Sequence, residues 1–423
     1  MFRRVGWALA LAAAAVVFFA CARTRTPQKA APPLDLEAAL GGGLVEAGSS
    51  QALVARVAIA SRARTSAARP PVNLALLVDT SGSMEGRAIE DARKAALALL
   101  GALRKEDRVA VVAFHSAAEV VLPSTRLADL DEPELRAKIA AMKAQGTTDM
   151  ASGLRLAVAE VTAHLEPEGV NRIVLLGDGV PNDDRQILPI VQGAAARGVS
   201  VTALGLGDDY DETLMGRVAR QSGGRFFYVE DSAKVASFFA EEVVRLERVV
   251  AKNAVLELRP GPGVTVTRVI GRESQTLERG VSVPLGDVSL GEEQEVVLEL
   301  ASAPARSGAS VEVLDAVLRY QDGLGGVTRE ERVFVGARAS ADLAAVEASR
   351  QQAVHDAAAR ARDAAATLER IEQERGQDRA KTAPAAPSPS PEATDENAAL
   401  RPPASASEIR RLHGEAMRRF QAH

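Results

Sequence analysis

Between about residues 72 and 246, short apolar runs alternate with stretches whose apolar positions recur every three to four residues. Runs of this length, rich in Val, Ile and Leu, predict strands, and the 3.6-residue period predicts helices. Strands are predicted over residues 73–78, 108–114, 118–122, 172–176, 200–204 and 225–228. The first helix carries Ile89, Ala92, Ala96, Leu97, Leu100 and Leu103 on one face, and others follow over 131–143, 149–164, 185–197, 212–223 and 232–246. Such alternation predicts an α/β domain with a mainly parallel sheet.

Beyond residue 250 the period changes to two. Val255, Leu256 and Leu258, then Val264, Val266 and Val269, then Val281, Val283 and Leu285 are followed by apolar positions over 296–300 and 311–318, punctuated by Gly and Pro. This pattern predicts a β-sandwich. Residues 44–60 also read as extended, yet they are too few to fold alone. They are expected to pair with the later strands, so that residues 44–70 and 249–337 form one split sandwich with an α/β domain over 71–248 between them. Residues 338–376 predict a helix by propensity, with the thin stripe Leu343, Val346, Val354, Leu368 and Ile371. Residues 377–406 are rich in Pro, Ala and Ser and read as a disordered linker. A short basic amphipathic helix is predicted over 407–423, with Ile409, Leu412, Met417 and Phe420 opposite four arginines. It either meets an anionic membrane surface or a partner, or is simply docked or solvated.

Asp79, Thr80, Ser81, Gly82, Ser83 and Met84 follow directly on the first run. A carboxylate and two hydroxyls at alternate positions gather hard oxygen donors on one side of a loop, the donors that Mg²⁺ prefers. Two later segments can complete such a shell: the polar turn Gly146, Thr147, Thr148, Asp149, and Gly177, Asp178, Gly179 at the end of another apolar run. Asp79, Ser81, Ser83, Thr148 and Asp178 supply a set of oxygen ligands. Asp79 and Asp178 both fall at the carboxyl ends of predicted strands, where open α/β sheets bind ligands.

The segments Asp-x-Ser-x-Ser, Thr-Asp and Asp-Gly closely resemble the metal-ion-dependent adhesion site of von Willebrand factor type A (VWA) domains. The resemblance covers residues 71–248. It implies a Rossmann-like fold, a mainly parallel sheet flanked by helices, in which Asp79, Ser81 and Ser83 from one loop, Thr148 from a second and Asp178 from a third hold Mg²⁺ or Mn²⁺. Thr147 stands where the family more often has Gly, and Gly177 where it more often has Thr or Ser. The resemblance further implies a binding module rather than an enzyme. An ion held by few carboxylates keeps positive charge and an open position, which an Asp or Glu of a protein partner fills. An envelope assembly or scaffold factor is the alternative, and a metal-assisted hydrolase a third. Against catalysis, Ser81 and Ser83 lack a Gly-x-Ser-x-Gly elbow, and the chain has no His-Glu-x-x-His motif. His115, the histidine nearest the predicted site, reads as a loop residue.

Composition narrows the partners. The 423-residue chain is 47% hydrophobic and 25% charged, room for two domains with extra segments. Only 3% is aromatic, so the core must be aliphatic. A net charge of −5 gives no electrostatic footprint for nucleic acid. At the N-terminus Arg3 and Arg4 precede an apolar stretch over 5–20 and then Cys21, the single cysteine. This layout resembles a bacterial lipoprotein signal over residues 1–21, which implies that Cys21 is lipidated and that residues 22–43 are a tether. Phe18 and Phe19 depart from that pattern and keep an uncleaved membrane anchor as the alternative. Either arrangement places the folded part outside the cytoplasm, in a bacterial periplasm or at the cell surface.

Overall fold

The computed structural model describes residues 32–62, 69–177, 180–206, 211–229, 234–323 and 326–382. Cys21, Asp178 and the helix expected over 407–423 lie outside the described residues.

The chain opens with β1 (Leu34–Leu40), β2 (Leu44–Glu46) and β3 (Gln51–Ser61). The α/β region follows: β4 (Val72–Asp79), α1 (Arg87–Ala102), β5 (Arg108–Phe114), β6 (Ala118–Arg126), α2 (Glu132–Ala141), α3 (Met150–Thr162), β7 (Val170–Gly177), α4 (Ile187–Ala195), β8 (Val199–Leu206), α5 (Glu212–Ser222), β9 (Phe226–Val229) and α6 (Val235–Leu246). Its six strands run in the order β6-β5-β4-β7-β8-β9, all parallel to their neighbours except β6. Every residue of β4 is buried, as a strand must be when helices cover both sheet faces. Leu74, Leu76 and Val78 face a core shared with Ala92 and Leu99 of α1 and Phe239 and Val243 of α6. Ala75 and Leu77 face the opposite core, with Leu154 of α3, Val191 of α4 and Val218 of α5. Each such Leu or Val contributes about 1.5–3 kcal/mol by leaving water. The edge strand β6 continues through Pro123 to Arg126, past the expected stop at Leu122, because an edge tolerates a proline with no N–H to donate.

The remaining strands are β10 (Val249–Pro260), β11 (Val264–Val269), β12 (Gln275–Thr276), β13 (Val281–Ser289), β14 (Glu293–Ser302), β15 (Ser310–Asp322) and β16 (Thr328–Ser340). They form two sheets together with the first three strands, in the orders β1-β3-β14-β11 and β12-β13-β10-β15-β16-β2. β14 pairs antiparallel with β3 from Ser302 opposite Gln51 to Glu293 opposite Ala60. Leu34, Val57 and Val296 of the first sheet share one core with Leu256, Val283 and Leu314 of the second.

Two expectations are corrected. The tether over 22–43 does not extend through residue 40, because Leu34–Leu40 is strand β1, paired with β3 along its whole length. The single helix over 338–376 is replaced by the end of β16, α7 (Leu343–Ala348) and α8 (Gln352–Thr382). The break falls where Arg350 forms a backbone bridge with Gly42, a partner three hundred residues away that local propensity does not register. α8 therefore extends six residues into the linker expected over 377–406. It seats Ala357, Ala358 and Ala365 against Val54, Ile270 and Val297, and Val354 is buried as well. Leu343, which opened the expected stripe, is 61% exposed. The seam is mostly alanine because the helix backbone lies close to the sheet.

Buried charge joins the two regions at the amino ends of the parallel strands. Arg172 of β7 is 0% exposed, donates to Asp287 Oδ2 of β13 at 2.8 Å and to Thr202 Oγ1 at 3.2 Å, and lies 3.9 Å from Glu242. Burial pushes the Glu242 carboxyl up, but Arg245 and Arg172 outweigh it and hold the group down at about 2. Lys252 Nζ of β10 donates to the carbonyls of Pro167 and Gly169 at 2.8 and 3.0 Å.

Two outcomes are expected. A fragment of residues 71–248 should unfold cooperatively on its own in urea, whereas 249–337 alone should show no cooperative transition by circular dichroism, since β14 loses β3 and exposes an unpaired edge. Asp287→Ala leaves Arg172 buried without its nearest carboxylate and should destabilise the full chain by about 3–5 kcal/mol in urea titration.

Candidate functional site

β4 is the point where the sheet order reverses: the chain leaves it to β5 on one side and later returns to β7 on the other. A crevice opens beyond the carboxyl ends of strands at such a point. Asp79 is the last residue of β4 and is fully buried, and β7 ends beside it at Gly177. Asp79 Oδ1 accepts the Ser81 amide at 2.7 Å, a local turn in which the carboxylate orders the loop that follows it. Ser81 is buried and Ser83 exposed, with their hydroxyl oxygens 3.0 Å apart.

The second loop is stitched to the first through backbone. Gly82 N–H donates to the Gly146 carbonyl at 3.1 Å, and Gln145 N–H to the Thr80 carbonyl at 2.8 Å. Thr80 itself is turned away: its amide and hydroxyl both donate to the Phe114 carbonyl, at 2.8 and 3.0 Å. Thr148 is buried, and its carbonyl accepts the Asn182 amide at 3.0 Å, which ties in the segment after β7. Asp149, next to it, caps α3 by accepting from the Ser152 amide at 3.0 Å and the Ser152 hydroxyl at 2.6 Å. That role separates it from Thr148. His115 is a half-buried loop residue with its ring 3.2 Å from Gln145 Nε2.

Asp79, Ser81, Ser83 and Thr148 thus lie in two loops bonded together at the end of β4, and Asp178 follows directly on the last residue of β7. Among the described residues no three His, Cys, Asp or Glu side chains gather as a metal cluster. The described part of the expected set is one carboxylate and three hydroxyls. These donors fit a hard divalent cation, which takes one or two carboxylates with neutral oxygens and water. Gly177 supports that fit: a Cβ there would stand 3.3 Å from Asp79 Oδ2, so glycine keeps the space beside the carboxylate open.

Sequence reading missed the support for the second loop. Gly146 has a φ of 69°, and Ser116 Oγ lies where a Cβ on it would go. Ser116 Oγ accepts from the Thr147 amide at 2.9 Å and lies 3.2 Å from the Thr147 hydroxyl. Thr147 is accommodated in this way at a position where the family more often has Gly. Nothing local marks Ser116, which lies thirty-one residues before its partner.

The sequence profile of the von Willebrand factor type A domain matches residues 73–241. The chain carries a VWA domain. It is 29% identical to the uncharacterized protein sll0103 of Synechocystis over 285 residues, 64% of this chain and 67% of that one. With YfbK of Escherichia coli it shares 30% identity over 267 residues, 60% of this chain but only 45% of YfbK. The match therefore spans about two thirds of one relative and less than half of the other. A solved von Willebrand factor type A structure from Catenulispora acidiphila superposes with a TM-score of 0.69 at 19% identity, over 82% of this chain and 83% of its own. That coverage extends well beyond the VWA domain, so the fold is shared across the strand-rich region as well. VWA domains commonly bind a divalent metal, and the family often takes part in protein–protein interaction and adhesion.

Proposed function

We propose that this chain is a divalent-cation-dependent protein-binding module of the bacterial cell envelope. Asp79, Ser81, Ser83, Thr148 and Asp178 hold Mg²⁺ or Mn²⁺, and an Asp or Glu of a protein partner completes the shell. The observation that carries this reading is the bonding of the Asp79–Ser83 loop to the Gly146–Thr148 loop at the reversal point of the sheet, with Ser83 on the exposed side. Bound there, the cation supplies a coordination position to an anionic oxygen. The protein's own part is to hold Asp79 and Ser81 rigidly in a buried setting while leaving the outer face open. No catalytic residue is assigned, and the role is recognition.

The envelope location rests on Arg3, Arg4, the apolar stretch over 5–20 and Cys21. Among the described residues no helix is long and apolar enough to cross a membrane. Lipidated Cys21 would tether the chain to a membrane.

Titration calorimetry should detect one Mg²⁺ or Mn²⁺ per chain at or below millimolar concentration. An ion that binds only the folded state stabilises it by about 2.7 kcal/mol at a hundredfold excess over Kd, so the melting temperature should rise. Asp79→Ala should abolish the rise and also the Mg²⁺-dependent, chelator-sensitive capture of a partner from envelope extracts. Absence of metal binding, or undiminished capture by Asp79→Ala with Mg²⁺ present, overturns the reading. Separately, the mature protein should partition into the detergent phase and Cys21→Ser should block its maturation, and a Cys21→Ser protein that matures normally and stays soluble outside the cell contradicts lipidation.

A further inference from the structure

At the far end of the sheet from Asp79, a cavity of about 90 Å³ lies between the VWA domain and the strand-rich region. A single ordered water needs only about 10–15 Å³ on this scale, so the space suits a small molecule. Arg225, just before β9, lines it from one side, and Arg272, between β11 and β12, from the other. Their carboxylate neighbours are engaged elsewhere. Asp287 binds Arg172 at 2.8 Å and accepts the Asn253 amide at 3.1 Å. Glu292 accepts the Ser289 amide at 3.0 Å and lies 3.5 Å from Arg245, and Glu295 pairs with Arg56. Glu273 stands in the cavity wall but pairs with neither arginine among the described residues.

The two guanidiniums are left with poor partners. Arg272 donates to neutral oxygens, the Glu295 carbonyl at 3.2 Å and Gln294 Oε1 at 3.5 Å. Arg225 has its carbon 5.3 Å from the centre of the Phe227 ring, and its buried Nε–H meets no acceptor among the described residues. Burial pushes Arg272 down to about 10 despite Glu292 and Glu295, and pushes Arg225 the same way, with Arg245 adding to the effect. Both arginines are half-buried, and a desolvated charge is ordinarily paired. The α5 C-terminus also reaches the cavity, but its Ala219 and Arg220 carbonyls already accept from the Gly224 and Gly223 amides.

We propose that this cavity is a binding site for a small oxyanion, a carboxylate or a phosphate group, gripped by Arg225 of the VWA domain and Arg272 of the strand-rich region. The guanidinium fork is the side chain best matched to either group. Because one arginine comes from each side, the bound anion ties the two regions together. The site is separate from the cation centre and independent of it.

The test uses the full-length protein in chelator, so that the cation centre takes no part. Inorganic phosphate and succinate are each titrated against potassium chloride of equal ionic strength. At least one oxyanion should bind with one site per chain by calorimetry and raise the melting temperature by about 1 °C for each kcal/mol of binding stabilisation. Which of the two binds distinguishes phosphate from carboxylate ligands. Arg225→Gln and Arg272→Gln should each reduce the affinity at least tenfold. Retention of the full shift in both variants overturns the proposal. Wild-type protein that gives no heat with either anion and no melting shift beyond the chloride control also overturns it, whatever the stability of the variants.

Discussion

A strand shut off from water on both faces can offer chemistry only at its ends, and β4 imposes that constraint on the whole molecule. Its side chains alternate between two aliphatic cores, which requires helices on both faces of the sheet. Position at the reversal of strand order places its carboxyl end, Asp79, beneath the crevice. The site is therefore a consequence of where β4 sits. The side chains around Asp79 are small because the loops must approach closely, as the Gly82–Gly146 bond and the space beside Gly177 show.

The amino ends of the same strands do different work. There the sheet meets the strand-rich region through groups that carry formal charge: Arg172 with Asp287, Lys252 with the carbonyls of Pro167 and Gly169, and Glu242 between Arg172 and Arg245. Away from water such pairs gain little net stability over apolar packing, yet each is costly to break singly. Attachment at the amino ends leaves the loops that carry Asp79 and Thr148 at the opposite, carboxyl end of the sheet.

The strand-rich region closes only with chain from both sides of the VWA domain. β3 lies between β1 and β14, and β2 borders β16, so residues before 62 complete sheets whose other strands begin at 249. α8 then covers the outside of β3 and β14 with a seam of alanines, fastened by Arg362 to Glu299 at 2.7 Å and by His355 to the Gly41 carbonyl at 2.9 Å.

What could be read in one dimension was whatever depends on near neighbours. The run over 108–114 appears as a strand with the same limits, Asp149 begins a helix as a cap, and Gly223 ends one with a φ of 70°, because burial period, capping and left-handed backbone are local properties. Asp79, Ser81 and Ser83 stood out for the same reason, since alternate oxygens after a buried strand form a pattern within five residues. Tertiary structure decided the rest. β1 does alternate, with Leu34, Leu36, Ala38 and Leu40 on one side, but seven residues beside a Pro-containing segment do not by themselves separate a strand from a tether, and pairing with β3 along the whole length makes it one. The helix expected through Ser349 breaks because Arg350 meets Gly42. Ser116 matters only because Gly146 folds onto it, and Arg172 reads as an ordinary strand residue until Asp287 arrives from 115 positions away. Each of these outcomes turns on a contact whose partner is distant in sequence, and chain closure in space, not propensity along it, determines which partner that is.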